Sequence, residues 1–296
     1  MRRRTLMSML ANVAAPGAVS DRAAAGGKLQ TVATFSILAD MARQVGGDLV
    51  SVRSLVPVDG DAHTYEPRPS DLQAVRAAGV VLTNGLGLEG WLDRLLKAAG
   101  GPARIVVASE GVTPRHWDEG TDPHAWQDPR NGMLYARTIG QAFAQADPAN
   151  AAAYRARAED FARRITAIDA WIAPQFAAVP AERRRILTSH DAFGYFGARY
   201  GIEFLGVQGI DTESEPSAAA IAALVKQIKA TGIKAVFVEN MTSPKLARMV
   251  ARESGAVLGP TVYSDALSPP GGPADTYEKM FRHNVPLFAH AIQANG

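Results

Sequence analysis

A chain of 296 residues can form one large domain or two ordinary ones with proper cores, and 47% hydrophobic with 20% charged residues describes a globular protein and excludes a disordered one. The net charge of +2, with no basic block beyond the N-terminal arginines and Arg183-Arg184-Arg185, argues against nucleic acid as a partner. The absence of cysteine excludes disulfides, thiolate metal sites, catalytic thiols and lipidation of a leader cysteine.

The N-terminus, Met1 to Leu10, starts basic, turns moderately apolar through Ala18 and reaches small residues at Ala23, Ala24 and Ala25. That is the layout of a secretory signal, expected over residues 1–27. With no cysteine to lipidate, the exported protein is expected free in a periplasm. No later apolar run is long enough to span a membrane.

From Leu29 the pattern alternates between strand and helix. Leu29 to Phe35 is β-prone, and Ser36 is placed to cap a helix with Ile37, Leu38, Met41 and Val45 on its apolar face. Gly46-Gly47 closes that helix. Val50 to Val56 reads as a strand, and Asp59 to Pro67 as a loop, before a helix capped near Ser70. Val80 to Thr83 and Ile105 to Ala108 read as short buried strands, with an apolar helix around Trp91 to Ala98 between them. In Asp122-Pro123-His124-Ala125-Trp126-Gln127-Asp128-Pro129 two prolines stiffen the backbone around an imidazole. A helix from about Asn131 to Ala144 follows.

Asp147-Pro148 then starts the longest helical pattern, with Tyr154, Ala158, Phe161, Ile165, Ile168 and Ile172 recurring up to Pro174. About 26 residues at the helical rise would span roughly 40 Å, the length of a connector between lobes. After Pro180 the alternation restarts, with strands at Ile186 to Thr188, Phe204 to Val207 and Ala235 to Val238. Helices are expected over Ser217 to Lys229, from Pro244, and from about Thr276. Val262 to Asp265 reads as the end of the last strand. The expected fold is α/β: two lobes with parallel central sheets, residues 28–146 and 177–296, joined by a backbone helix over 147–176.

Of six histidines, His283 and His290 sit in the terminal helix and read as surface or packing residues. His63, His124 and His190 each lie in a loop shortly after a predicted strand, and Asp265 sits likewise in the second half. Ligands of open α/β sheets bind beyond the carboxyl ends of the strands, so these four are placed to meet in a cleft between the lobes. Three imidazoles and a carboxylate suit zinc, whereas manganese more often calls for additional oxygen. The separations carry no short-motif signal, and scattered loop residues account for them equally well. Asp128, Asp191 and Glu239 are candidates to support the imidazoles from behind, although caps and turns are the commoner role for such residues.

Phe35-Ser36-Ile37-Leu38-Ala39-Asp40, Asp61-Ala62-His63-Thr64-Tyr65-Glu66-Pro67, Asp122-Pro123-His124-Ala125-Trp126, Ser189-His190-Asp191-Ala192-Phe193 and Ser264-Asp265 together resemble the zinc/manganese solute-binding proteins of bacterial ABC transporters, in order and from about Leu29 onward. The resemblance implies a metal buried between two lobes with His63, His124, His190 and Asp265 as ligands, and an inner-membrane ABC permease as partner. It also implies histidine at position 190 for zinc, where manganese-selective relatives tend to carry glutamate. The interval Ser109 to Thr121 is short and holds only His116, beside Asp118 and Glu119, where zinc members often have a long histidine-rich loop. Loading is therefore expected from solution or from a periplasmic metallochaperone, onto a monomer. A zinc hydrolase is the competing class, although no His-Glu-x-x-His or Gly-x-Ser-x-Gly motif is present and Asp265 would fill the catalytic position. A surface adhesin is a third.

Overall fold

The computed structural model describes residues 27–117 and 120–295. The expected signal segment, apart from Gly27, lies outside the described residues, as do Asp118 and Glu119.

The first half is a parallel sheet in the order β2-β1-β3-β4, made of β1 (Leu29–Ala33), β2 (Val50–Ser54), β3 (Val80–Thr83) and β4 (Arg104–Val107). Helices α1 (Ser36–Gly46), α2 (Pro69–Ala77) and α3 (Leu92–Ala99) connect these strands. Every residue of β3 is buried, the expected signature of a strand covered on both faces. The second half repeats the plan as a parallel sheet in the order β10-β9-β7-β8. Its strands are β7 (Arg185–Thr188), β8 (Glu203–Gly206), β9 (Ala235–Phe237) and β10 (Val257–Leu258). Helices α6 (Gly194–Tyr200), α7 (Ala218–Thr231) and α8 (Pro244–Ser254) connect them. An antiparallel hairpin, β5 (Arg115–Trp117) with β6 (Gly120–Asp122), leads into the His124 loop.

In chain order the first half is followed by α4 (Pro129–Ala146) and α5 (Ala151–Ala177), and α9 (Tyr277–Ala294) closes the chain. Tyr154, Ala158, Phe161, Ile165, Ile168, Ile172 and Phe176 are the buried face of α5, which packs on α1, α4 and α9. Pro174 does not end this helix, which runs three residues further to Ala177. The main core is continuous from Val32 in the first sheet through α5 to Ile292 in α9, so both halves are built on one apolar body. A smaller cluster around Leu187, Ile228, Val236 and Val250 underlies α7 and α8.

Four local expectations need correction. The strand expected to be buried over Ile105 to Ala108 is the edge strand β4, and Ile105 and Val107 are 44% and 42% exposed. Val262 to Asp265 does not end a strand: the last strand is β10, and Val262 makes only an isolated parallel bridge to Glu239. Ser36 does not cap α1; its Oγ accepts from the backbone of Leu267, tying the first helix to the Asp265 loop. The helix expected to be capped near Ser70 starts at Pro69, with the Arg68 N–H donating to Asp71.

Candidate metal centre

His63 follows β2 in a loop shaped by Asp61, whose Oδ1 accepts the His63 N–H at 2.9 Å. The indole of Trp91 fixes the preceding peptide by donating to the Ala62 carbonyl at 2.8 Å. His124 follows the hairpin, and Asp122 Oδ1 accepts both its backbone N–H, at 3.0 Å, and its ring Nδ1, at 2.9 Å. That pair of bonds sets the tautomer and points Nε2 inward. Trp126, fully buried, packs its ring 5.3 Å from the His124 ring. Its indole reaches across to donate to the Ser264 carbonyl at 2.8 Å, and Gln127 donates to the same oxygen at 2.8 Å. The stiff segment therefore holds His124 and the peptide before Asp265 together.

His190 follows β7. Its N–H donates to Glu239 Oε1 at 2.9 Å, and its Nδ1 lies against the same carboxylate. Ser189 and Ser264 hydroxyls donate to the two Glu239 oxygens at 2.8 and 2.6 Å, so one buried carboxylate organises both second-half segments.

The four side chains meet. One donor atom from each of His63, His124, His190 and Asp265 lies within 4.8 Å of the others. Asp265 Oδ2 is 3.2 Å from Nε2 of His63 and of His190, and 3.5 Å from Nε2 of His124. His124, His190 and Asp265 are almost wholly buried, while His63 keeps 7% of its surface and borders a cavity of about 490 Å3 walled by Leu86, Thr121, Pro123 and Ile210.

His190 Nε2 and Asp265 Oδ1 are buried without a hydrogen-bond partner. Orphaned polar atoms of this kind are costly in a protein interior, and a cation among three imidazoles and a carboxylate relieves them. Burial works against the charge on each of these groups, yet their mutual attraction prevails. Desolvation alone would lower His124, but Asp265 and Asp122 push it up to about 9. His190, against the same opposing burial, is raised by Glu239 and Asp265. Burial would raise Asp265, and His124 and His190 hold it well below the usual carboxylate range. The pocket is thus negative enough to hold a cation, and protons compete for it.

Of the supporting residues expected from sequence, Glu239 touches a candidate ligand. Asp128 instead caps α4, accepting from the Arg130 N–H at 2.9 Å and pairing with its guanidinium. Asp191 makes no side-chain hydrogen bond among the described residues. Burial pushes its carboxyl up, and it lines a cavity with Arg115 and Arg184. The residue missed was Asp122. Its signal was a carboxylate two positions before His124, the spacing at which Asp accepts from a following backbone N–H. His116 is exposed and lies beside Thr121, His283 contacts the Thr261 carbonyl, and His290 is on the surface.

The family described as ZnuA, zinc-uptake complex component A, periplasmic, matches residues 31–291. The manganese-binding lipoprotein MntA of Halalkalibacterium halodurans is 35% identical over 268 residues, covering 90% of this chain and 89% of that protein. The iron-binding protein YfeA of Yersinia pestis is 32% identical over 268 residues, covering 88% and 86%. Among solved structures, the periplasmic zinc-binding protein TroA from Treponema pallidum superposes with a TM-score of 0.86 at 27% identity, covering 90% of this chain and 99% of that one.

Proposed function

Because the chain belongs to the ZnuA family, the periplasmic metal-binding components of metal ABC transporters, we propose that it captures one zinc ion between its halves and delivers it to a membrane permease for import. Members of this family are solute-binding components and not enzymes, which removes the hydrolase alternative. His63, His124, His190 and Asp265 are the ligands in this reading, and the single observation that carries it is their convergence around Asp265 Oδ2 with two buried donor atoms left unpartnered. Four protein donors form a closed shell with no vacant position for a reacting water, which suits capture and hand-over. The lobes 28–146 and 177–296, the connector 147–176, export by the 1–27 segment, and a monomer loaded from solution or a metallochaperone complete the proposal.

A second reading, manganese, is favoured by a specific observation. Asp265 Oδ1 has no partner, so the carboxylate can bind through both oxygens and raise the coordination number, as a harder ion prefers. MntA is named for manganese and YfeA for iron. Three imidazoles, with histidine at position 190, favour zinc. Metal content and a zinc-against-manganese competition titration of the purified protein, repeated with His190→Ala, test the choice. The zinc reading expects one zinc per chain that excess manganese does not displace, and loss of tight binding in the variant. Full-strength zinc binding by His190→Ala would sink the ligand assignment, and ready displacement by manganese would favour the second reading.

A further inference from the structure

We propose that Arg115 is a positioning residue for the metal cargo, keeping the Asp122 carboxylate under His124 only while the start of α6 is seated against it. The proposal rests on the reading of His124 as a ligand.

Asp122 is almost wholly buried, with 4% of its side chain exposed. Its Oδ1 serves both donors of His124, and its Oδ2 accepts from an Arg115 guanidinium N–H at 3.0 Å. The terminal torsion of an aspartate is broad, so a carboxylate gripped at one oxygen can swing out of the imidazole plane. A grip on the second oxygen fixes that plane. The contribution is geometric: Arg115 is 40% exposed, and a half-exposed ion pair supplies little energy of its own.

What holds Arg115 comes from the other half of the molecule. Its N–H donates to the Tyr195 hydroxyl at 2.9 Å, and its guanidinium lies 5.4 Å from the Tyr195 ring centroid. Tyr195 in turn donates to the Asp122 carbonyl at 3.3 Å. Gly194, the first residue of α6, supplies the room: a Cβ there would overlap the Arg115 guanidinium and stand 2.7 Å from Asp122 Oδ2, so the start of α6 abuts both partners. Gly194 and Tyr195 follow closely on His190, so the support of one imidazole is braced on the segment that carries another. Parting α6 from the hairpin frees Arg115, then Asp122, then His124. Release thereby has a handle outside the ligands.

Zinc dissociation from the full chain, followed by rapid mixing with a chromophoric chelator, tests this in Arg115→Gln, Arg115→Lys, Gly194→Ala, the Arg115→Gln/Gly194→Ala double variant, and His124→Ala. Arg115→Gln is expected to release zinc roughly 10-fold faster, at the low end of what partners behind a ligand contribute. Arg115→Lys restores the slow rate, because a single N–H contact to Oδ2 is all that is asked of it. Gly194→Ala, a change that favours helix, crowds both the guanidinium and Asp122 Oδ2 and releases zinc at least as fast as Arg115→Gln, and the double variant is no faster than Gly194→Ala alone. Wild-type release from Arg115→Gln, or additive effects in the double variant, overturns the proposal. His124→Ala separates the failures. Zinc lost in His124→Ala but normally held by Arg115→Gln refutes the positioning role alone, whereas zinc retained by His124→Ala refutes the ligand reading beneath it.

Discussion

His124 and His190 stand on carboxylates, and His63 does not. Asp122 bonds both the ring and the backbone of His124, while Glu239 bonds the backbone N–H of His190, lies against its Nδ1 and collects Ser189 and Ser264. His63 has only its backbone N–H bonded to Asp61, no side-chain partner on Nδ1 among the described residues, and a cavity beside it. The two backed imidazoles lie in the sealed interior, where an unfixed tautomer would be costly, and the unbacked one lies at the mouth. For the proposed site the difference teaches a division of labour: His124 and His190 form a preset cradle with Asp265, and His63 is the imidazole with freedom to close over an arriving ion.

Asp265→Asn is expected to have the largest effect, because it removes the one anion common to all three Nε2 atoms. Zinc affinity measured by chelator competition should fall by well over the ~100-fold that an outer partner is worth. Glu239→Gln comes next and sharpens the comparison directly. It should weaken zinc by about 10–100-fold, whereas Asp61→Asn, which touches His63 only through its backbone, should cost far less. Equal losses would erase the distinction between backed and unbacked imidazoles.

Proton release is the third test. His124, raised to about 9, favours its protonated form at pH 7, and on the proposed ligand assignment an incoming ion must expel that proton. Calorimetry in buffers of different ionisation enthalpy should detect release at pH 7 that fades as pH rises past about 9. The sign for stability follows. The raised pKa stabilises the metal-free protein below about 6.5, the ordinary value, and that contribution is lost as pH climbs through about 9. The depressed Asp265 acts oppositely, stabilising above its ordinary value of 3.8 and failing only as pH falls below it. Absence of proton release on zinc binding at pH 7, or uptake instead, would contradict this electrostatic description. The smallest effect is Asp128→Ala: about 1 kcal/mol of stability from a lost helix cap, read by chemical denaturation, with zinc affinity unchanged.

Much of this was legible because apolar periodicity and chain order are local properties. The strands beneath His63 and His190, the long α5 with its Tyr154 to Ile172 stripe, and the loop positions of the three histidines all follow from residue type and spacing. Pairing partners are not local. Nothing near Ile105 says that β4 is an edge, and nothing near Val262 says that its neighbour is Glu239 through one bridge. Asp128 and Asp122 illustrate the same limit at the site. Both are aspartates flanking one histidine. The proline after Asp128 turns it toward a helix N-terminus, while Asp122 ends a hairpin whose return strand was not visible in the short Ser109 to Thr121 interval. Glu239 is a candidate by residue type, yet its bonds to Ser189, His190 and Ser264 depend on contacts some 25 to 50 residues distant.

The most direct test of the central claim is zinc K-edge X-ray absorption on the purified, zinc-loaded protein. The account predicts three imidazole nitrogens at about 2.0–2.1 Å and carboxylate oxygen at about 2.0–2.2 Å, with no coordinated water. Fewer than three imidazoles, or a water in the position assigned to Asp265, would contradict it.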